Sequence, residues 1–204
     1  MSSGGQFANK YSARLTGNQF LYNEFKVVCD LMSQGLDKKE ASLKIKNENL
    51  FEYRSVKSIS KRITAAWERA GYLNESLLDK VLHQPNEIGR LINFYAILKY
   101  DLLFLEFVEE VLSEKFYTHQ LELTRADISN FFTIKSEQSD DVAAFKEETL
   151  RRLRLAYIEI LQGAGYLVKN NSKMELTKPT AIYQVSDWLE DIGEKRYAKA
   201  ILGA

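Results

Sequence analysis

The chain has 204 residues, enough for one domain or two small ones, and its 28 Lys and Arg residues balance 28 Asp and Glu residues. Because the net charge is zero, the chain is not a nonspecific polycation, and nucleic-acid binding would require basic residues gathered on one surface. Two Pro and ten Gly among many Leu, Lys, Glu, Ala and Ile predict an all-α globular fold. The N-terminal residues lack an apolar core, so they are not a signal peptide, and the protein is predicted to be cytoplasmic.

Residues 11–84 are predicted to form an N-terminal helix-turn-helix unit that follows a disordered segment at residues 1–10. After a first helix over residues 18–33, an upstream helix begins at Asp37, where an acid three residues later can complete a capping box. Residues 55–73 then form a helix with one apolar stripe and an opposite basic face, whose centre is made of small residues. Its candidate nucleic-acid contacts, around the small Ala65, are Lys57, Ser58, Lys61, Arg62 and Arg69.

Residues 85–120 contain the most apolar part of the chain and are predicted to form one central core helix. A transmembrane span is the first alternative, but charged residues such as Lys99, Asp101 and Glu106 interrupt every window of about twenty residues. The other helices are therefore expected to surround this segment, and its aromatic residues are interpreted as core.

Residues 121–178 are predicted to form a second helix-turn-helix unit with a wing. Thr124, with Asp127 three residues later, can cap an upstream helix. A polar connector over residues 134–141 then leads to a second basic helix. The candidate nucleic-acid contacts on this helix are Arg151, Arg152 and Arg154.

This second basic helix, predicted from Val142 or Lys146 to Gly163, resembles the first in its ending. Residues 70–73 and 164–167 both read Ala-Gly-Tyr-Leu, and the matched core positions predict that Trp67 and Leu161 are both buried. Residues 168–176 are predicted to form a short β-hairpin around an Asn-Asn turn, although a frayed polar loop is an equal alternative. As a basic wing, the hairpin would contact phosphates through Lys169 and Lys173, and residues 179–204 would form a C-terminal helix.

The sequence lacks the usual arrangements of catalytic residues, so a non-enzyme without metal or cofactor is predicted. His83 and His119 are far apart, and the single Cys29 can form neither a zinc site nor a disulfide within the chain. There is no phosphate-binding glycine loop followed by Lys-Ser or Lys-Thr. Glu106, Glu109 and Glu110 could work as acid and base, but a solvated helix face is the commoner explanation.

Four segments together resemble the BrxA family of bacteriophage-exclusion (BREX) defence systems. In chain order they read YSARLTGNQFLYNEFKVV, NLFEYRSVKSISKRI, LINFYAILKYDLLFLEFVEEVL and FFTIKSEQSDDVAAFKEETLRRLRLAYIEIL. The resemblance extends over about residues 11–167 and implies a phage-defence protein that acts beside a DNA methyltransferase, a large ATPase and an alkaline-phosphatase-like protein. It supplies no catalytic residues, and the family has been likened to NusB, an all-helical RNA-binding factor.

The leading hypothesis is a non-catalytic, double-stranded DNA-binding component of a BREX complex. Two basic helices in one chain would let a monomer hold DNA, because the second contact is intramolecular. One alternative is NusB-like RNA binding, which depends on fold-level analogy. The other is a scaffold whose basic faces meet acidic partner proteins.

Overall fold

Helices make up most of the structure, a computed structural model that describes residues 10–54, 59–171 and 173–203. The predicted all-α class with a short hairpin is confirmed. The helices are α1 Tyr22–Ser33, α2 Lys38–Asn47, α3 Ile59–Ala70, α4 Glu75–His83, α5 Asn86–Tyr100, α6 Leu102–Phe107, α7 Ser113–Tyr117, α8 Arg125–Gln138, α9 Asp140–Ala143, α10 Glu147–Ala164, α11 Ile182–Asp191 and α12 Lys195–Leu202.

Local capping signals in the sequence set several of these boundaries. Asp37 caps α2 through the backbone N–H groups of Lys39 and Glu40, and the Glu40 side chain completes the capping box, as predicted. Thr124 and Asp127 form the second predicted capping box at the start of α8. Each cap satisfies helix N–H groups that have no partner within the helix.

The predicted single central helix over residues 85–120 is wrong, because Asp101 divides it. α5 is buried on nearly every side, and Asp101 then adopts an extended backbone conformation. The Asp101 carboxylate accepts a hydrogen bond from the backbone N–H of Phe104 at 2.9 Å, which caps α6. A π-helical turn, Val108–Leu112, joins α6 to α7. The core is therefore a bent series of helices, against which α3, α10 and α11 pack.

Asp101 gives the folding stability a pH dependence. Burial raises the pKa of its carboxyl to about 6, whereas an aspartate in the unfolded chain has a pKa of about 3.9. Between these values the folded protein keeps a proton that the unfolded chain has released, so this group's contribution to stability falls as pH rises from about 4 to about 6.

We therefore expect Asp101→Asn to stabilise the protein more at neutral pH than at acidic pH. Asparagine can still cap α6 but carries no buried charge. The gain in unfolding free energy should grow by about 2 kcal/mol between about pH 4.5 and about pH 7.5. Urea unfolding of both proteins at the two pH values measures it. A gain that is equal at both would contradict the prediction.

Arg69, expected on the exposed basic face of α3, is instead fully buried. Its guanidinium donates to the backbone carbonyls of Asn18, Gln19 and Phe20, just before α1. Ala65, expected at the centre of the same exposed face, is buried as well. Both expectations fail because α3 packs against two helices, α1 and α5. The side of α3 that carries Ala65 and Arg69 is therefore buried in addition to its apolar stripe.

The predicted hairpin is present as β1, Leu167–Asn170, and β2, Lys173–Leu176, which pair in antiparallel register. Asn171 follows β1 with a φ of 56°, a left-handed conformation that asparagine tolerates. The chain before α8 joins the far edge of β2. There the Leu123 N–H donates to the Met174 carbonyl at 2.9 Å, and the Leu176 N–H donates to the Leu121 carbonyl at 2.7 Å. These bonds fix the hairpin against the start of α8.

The C-terminal segment is two helices and not the single helix predicted over residues 179–204. α11 and α12 are separated at Gly193, whose φ of 83° a side chain would disfavour. The two helices pack against each other and against α5. Tyr166 connects this pair to α10, because its hydroxyl donates to the Ile201 carbonyl at 2.7 Å.

The two predicted helix-turn-helix units share some packing but differ in detail. α3 and α10 both pack against α5 and against their own upstream helices, α2 and α8. Leu161 is buried as predicted, whereas Trp67 is only partly buried. Gly165 ends α10 in a left-handed conformation, with a φ of 85°, but Gly71 does not. The superposition of the two units stays a prediction.

Candidate nucleic-acid interface

The basic residues that were predicted in the first unit and that the structure describes do not form one exposed surface. Arg69 lies in the core, and Lys57 and Ser58 fall outside the described residues. The Arg62 guanidinium lies 4.5 Å from the centre of the Tyr53 ring and 3.6 Å from a Glu24 carboxylate oxygen. Of these candidates within the described ranges, Lys61 is exposed on α3.

In the second unit, the arginines of α10 reach solvent but are paired with acids of the first turn. The Glu148 carboxylate accepts from both Arg151 and Arg152 at 2.8–2.9 Å, and Glu147 accepts from Arg154. Arg151 and Arg152 lower the pKa of Glu148 to about 2, so this carboxylate remains ionised at physiological pH. Exposed ion pairs of this kind contribute little to stability and exchange readily for other partners.

A cleft between α8, α10 and the hairpin is lined by five basic residues, and we call it the basic cleft. A cavity of about 290 Å³ lies between α8 and α10, and an adjoining one of about 520 Å³ extends to the hairpin. Glu122 is the acidic residue that lines the cleft, 3.8 Å from the Lys173 ammonium. Its basic lining residues are Arg125, Arg151, Arg154, Lys169 and Lys173.

The structure thus brings four predicted residues together with one that the sequence analysis missed. Arg125 is the first residue of α8, directly after the Thr124 cap. A cation in the first turn of a helix is electrostatically unfavourable, because it lies at the positive end of the helix dipole. An arginine directly after the predicted Thr124 cap could therefore have indicated a functional residue. Arg152 lies on the exposed face of α10 beside the cleft and does not line it.

Apolar side chains form the floor of the basic cleft. Ile128 of α8 and Ile158 of α10 are buried, and Leu155 of α10 is half exposed. The surface therefore combines a basic rim with a small apolar base. That arrangement suits a ligand that carries several negative charges around an apolar group.

The carboxylates singled out in the sequence have basic partners, and the single thiol is buried. The Lys135 ammonium binds carboxylates of Glu106 and Glu110 at 2.6 Å each, and Arg196 binds Glu109 through two hydrogen bonds. Burial raises the pKa of the Cys29 thiol to about 12, so it is not a reactive thiolate. In the ranges that the structure describes, no three His, Cys, Asp or Glu side chains are placed to hold a metal ion.

Among the described residues, no helix combines the length and hydropathy that are needed to cross a bilayer.

Comparisons with known proteins agree with this architecture. A sequence model of the BrxA family matches residues 9–193. A protein of Bacillus cereus (strain H3081.97) named BREX protein BrxA is 30% identical over 193 residues, which cover 95% of this chain and 96% of that protein. The crystal structure of an uncharacterized protein from Magnetospirillum magneticum aligns with a TM-score of 0.82 at 16% identity, covering 95% of this chain and 99% of the other. At that identity, this second likeness establishes the fold alone.

The fold and surface define a predominantly helical protein with a small hairpin and a basic cleft beside it. The chain belongs to the BrxA family, because the family model covers most of its length and a BrxA relative aligns with nearly all of it. The resemblance noted in the sequence is thereby confirmed, and family membership supports a role in BREX phage defence.

Proposed function

We propose that this protein is a non-catalytic, double-stranded DNA-binding component of a BREX defence complex. The observation that carries the proposal is the basic cleft, where five basic residues and one acid line a surface of a chain whose net charge is zero. Charge that is concentrated in this way favours a polyanion, since released counterions drive the association.

In the proposed complex, α8 and α10 act as the helix-turn-helix pair and the hairpin acts as its wing. The exposed face of α10 enters the major groove, which is wide enough for a helix. Lys169 and Lys173 contact phosphates from the wing, and Arg125 contacts them from the start of α8. The pairing of residues 121–123 with β2 holds the wing next to α8, so these contacts are arranged before DNA binds.

The N-terminal unit contributes less in this proposal than the sequence hypothesis gave it. Of its predicted contacts within the described residues, Arg69 is buried, Arg62 is engaged by Tyr53 and Glu24, and Lys61 is exposed. The protein would act as a monomer in the cytoplasm, beside the methyltransferase, ATPase and phosphatase-like components of the system.

Competition binding distinguishes this function from the NusB-like RNA-binding and scaffold alternatives. A labelled DNA duplex is titrated with the purified full-length chain, without partners, and then challenged with unlabelled duplex or hairpin RNA. DNA binding predicts that the duplex competes better than the RNA. Stronger competition by RNA would support RNA binding, and the absence of binding to either would favour the scaffold.

Glu148 is expected to limit the affinity for DNA. Glu148→Gln removes a negative charge from the exposed face of α10 and releases Arg151 and Arg152 for phosphates. We expect duplex binding to tighten about two- to fivefold at low salt, with a smaller gain at high salt. Glu75→Gln, an acid in the first turn of α4, is the matched control and should leave affinity unchanged. Equal affinities of Glu148→Gln and the wild type at low salt would contradict this role.

A further inference from the structure

The exposed face of α10 between residues 148 and 159 is charged except at one position. Residues 148, 151, 152, 155 and 159 are all exposed, and at about 100° per residue they lie within about 100° of one another around the helix, so they share one face. Four of them are Glu or Arg, and the fifth is Leu155, half of whose surface is accessible. A charged helix face thus presents one half-exposed aliphatic side chain among Glu and Arg residues.

The surroundings of Leu155 favour a small apolar ligand group that belongs to a polyanion. Leu155 lines both cavities of the basic cleft, and Ile128 and Ile158 belong to the same apolar lining. The guanidinium groups of Arg151 and Arg154 flank the same cavity. In the major groove of DNA, the one apolar group on a base edge is the C5-methyl of thymine.

We propose that Leu155 is a specificity-determining residue that packs against the thymine C5-methyl group in the major groove. This inference rests on the proposed DNA-binding function and adds a base contact to the phosphate contacts. Those phosphate contacts position the protein without reading sequence, whereas contact with a methyl group distinguishes an A·T pair from a G·C pair.

Removal of the methyl group tests the contact from the DNA side. Deoxyuridine pairs as thymine does but lacks the C5-methyl, so an alternating A–U duplex is compared with an alternating A–T duplex of equal length. We expect the wild type to bind the A–T duplex about three- to fourfold more tightly for each buried methyl group. A G–C duplex should likewise bind more tightly when its cytosines carry a C5-methyl group.

Two variants assign the preference to Leu155. Leu155→Ala should bind both duplexes with equal affinity, because its shorter side chain does not reach the methyl group. Ile134→Ala is the matched control, since Ile134 is 49% exposed on α8, Leu155 is 50% exposed, and Ile134 lies outside the cleft. Circular dichroism checks that both variants fold as the wild type does.

The outcomes separate this inference from the function on which it rests. If the wild type binds neither duplex, the proposed DNA-binding function fails. If it binds both with equal affinity, DNA binding stands and the thymine contact is rejected. A preference that persists in Leu155→Ala also rejects the inference, because another group must then sense the methyl.

Discussion

Simultaneous replacement of Arg125, Arg151 and Arg154 by glutamine is expected to abolish most duplex DNA binding while the protein remains folded. The three guanidinium groups line one cavity, so a single stretch of phosphates can contact all of them. Loss of three charge-assisted contacts should lower the affinity about 100-fold near physiological salt. It should also reduce the slope of log affinity against log salt concentration by about 2.7, or about 0.9 for each phosphate contact.

A charge-matched variant separates the cleft from general electrostatic attraction. Lys38, Lys195 and Lys199 are exposed and lie outside the cleft, so their triple glutamine variant changes the net charge equally. We expect it to keep nearly the wild-type affinity and salt slope. Fluorescence anisotropy at several salt concentrations gives both quantities. Equal losses in the two triple variants would mean that the cleft is not the binding surface.

Replacement of Arg69 by methionine is expected to destabilise the fold severely. The guanidinium is inaccessible to solvent and binds three backbone carbonyls of the segment before α1. Methionine fills a similar volume but leaves those carbonyls without their donor, and it removes a positive charge that helps to offset buried Asp101. Each lost bond to a charged donor is worth about 1.5–3 kcal/mol. Allowing for relaxation around the site, we expect a loss of about 3–5 kcal/mol.

Urea unfolding at neutral pH measures the loss of stability. DNA binding at low temperature, where the variant is more fully folded, shows whether Arg69 also contacts DNA directly. The folded fraction of Arg69→Met should bind duplex with wild-type affinity, because Arg69 is closed off from solvent. Arg69→Lys keeps the charge but carries all its N–H donors on one nitrogen, whereas the Arg69 bonds come from two guanidinium nitrogens, so its stability should be intermediate. Weakened binding with unchanged stability would restore the sequence-based view that Arg69 contacts nucleic acid.

The sequence by itself was sufficient for features whose partners are close along the chain. The Asp37 and Thr124 caps were predictable because their hydrogen bonds reach only three residues ahead. The hairpin was predictable from an asparagine turn between short β-forming runs, and its two strands pair within ten residues. The similarity to the BrxA family was also recognisable, since it depends on the order and spacing of segments and needs no coordinates.

Burial of the basic helix α3 was decided by tertiary structure. A periodic apolar stripe predicts one buried face, but α3 packs against both α1 and α5, so a second face that contains Ala65 and Arg69 is buried too. The helix break at Asp101 likewise escaped prediction. The Asp101 carboxylate is buried there as the cap of α6, and the nearby Arg14 and Arg69, which partly offset its charge, are distant in sequence. Sequence patterns do not specify how many neighbours a helix has.

The basic cleft also depends on the tertiary fold. Its cations come from the start of α8, the exposed side of α10 and the hairpin, which are separated by up to 48 positions between Arg125 and Lys173. The sequence identified four of these five residues from their separate elements, but not their convergence or the place of Arg125 among them. Hydrogen bonds from residues 121–123 to β2 bring the hairpin back beside α8. Local sequence patterns do not encode these long-range hydrogen bonds, which place the cations of the hairpin and of α8 on one surface.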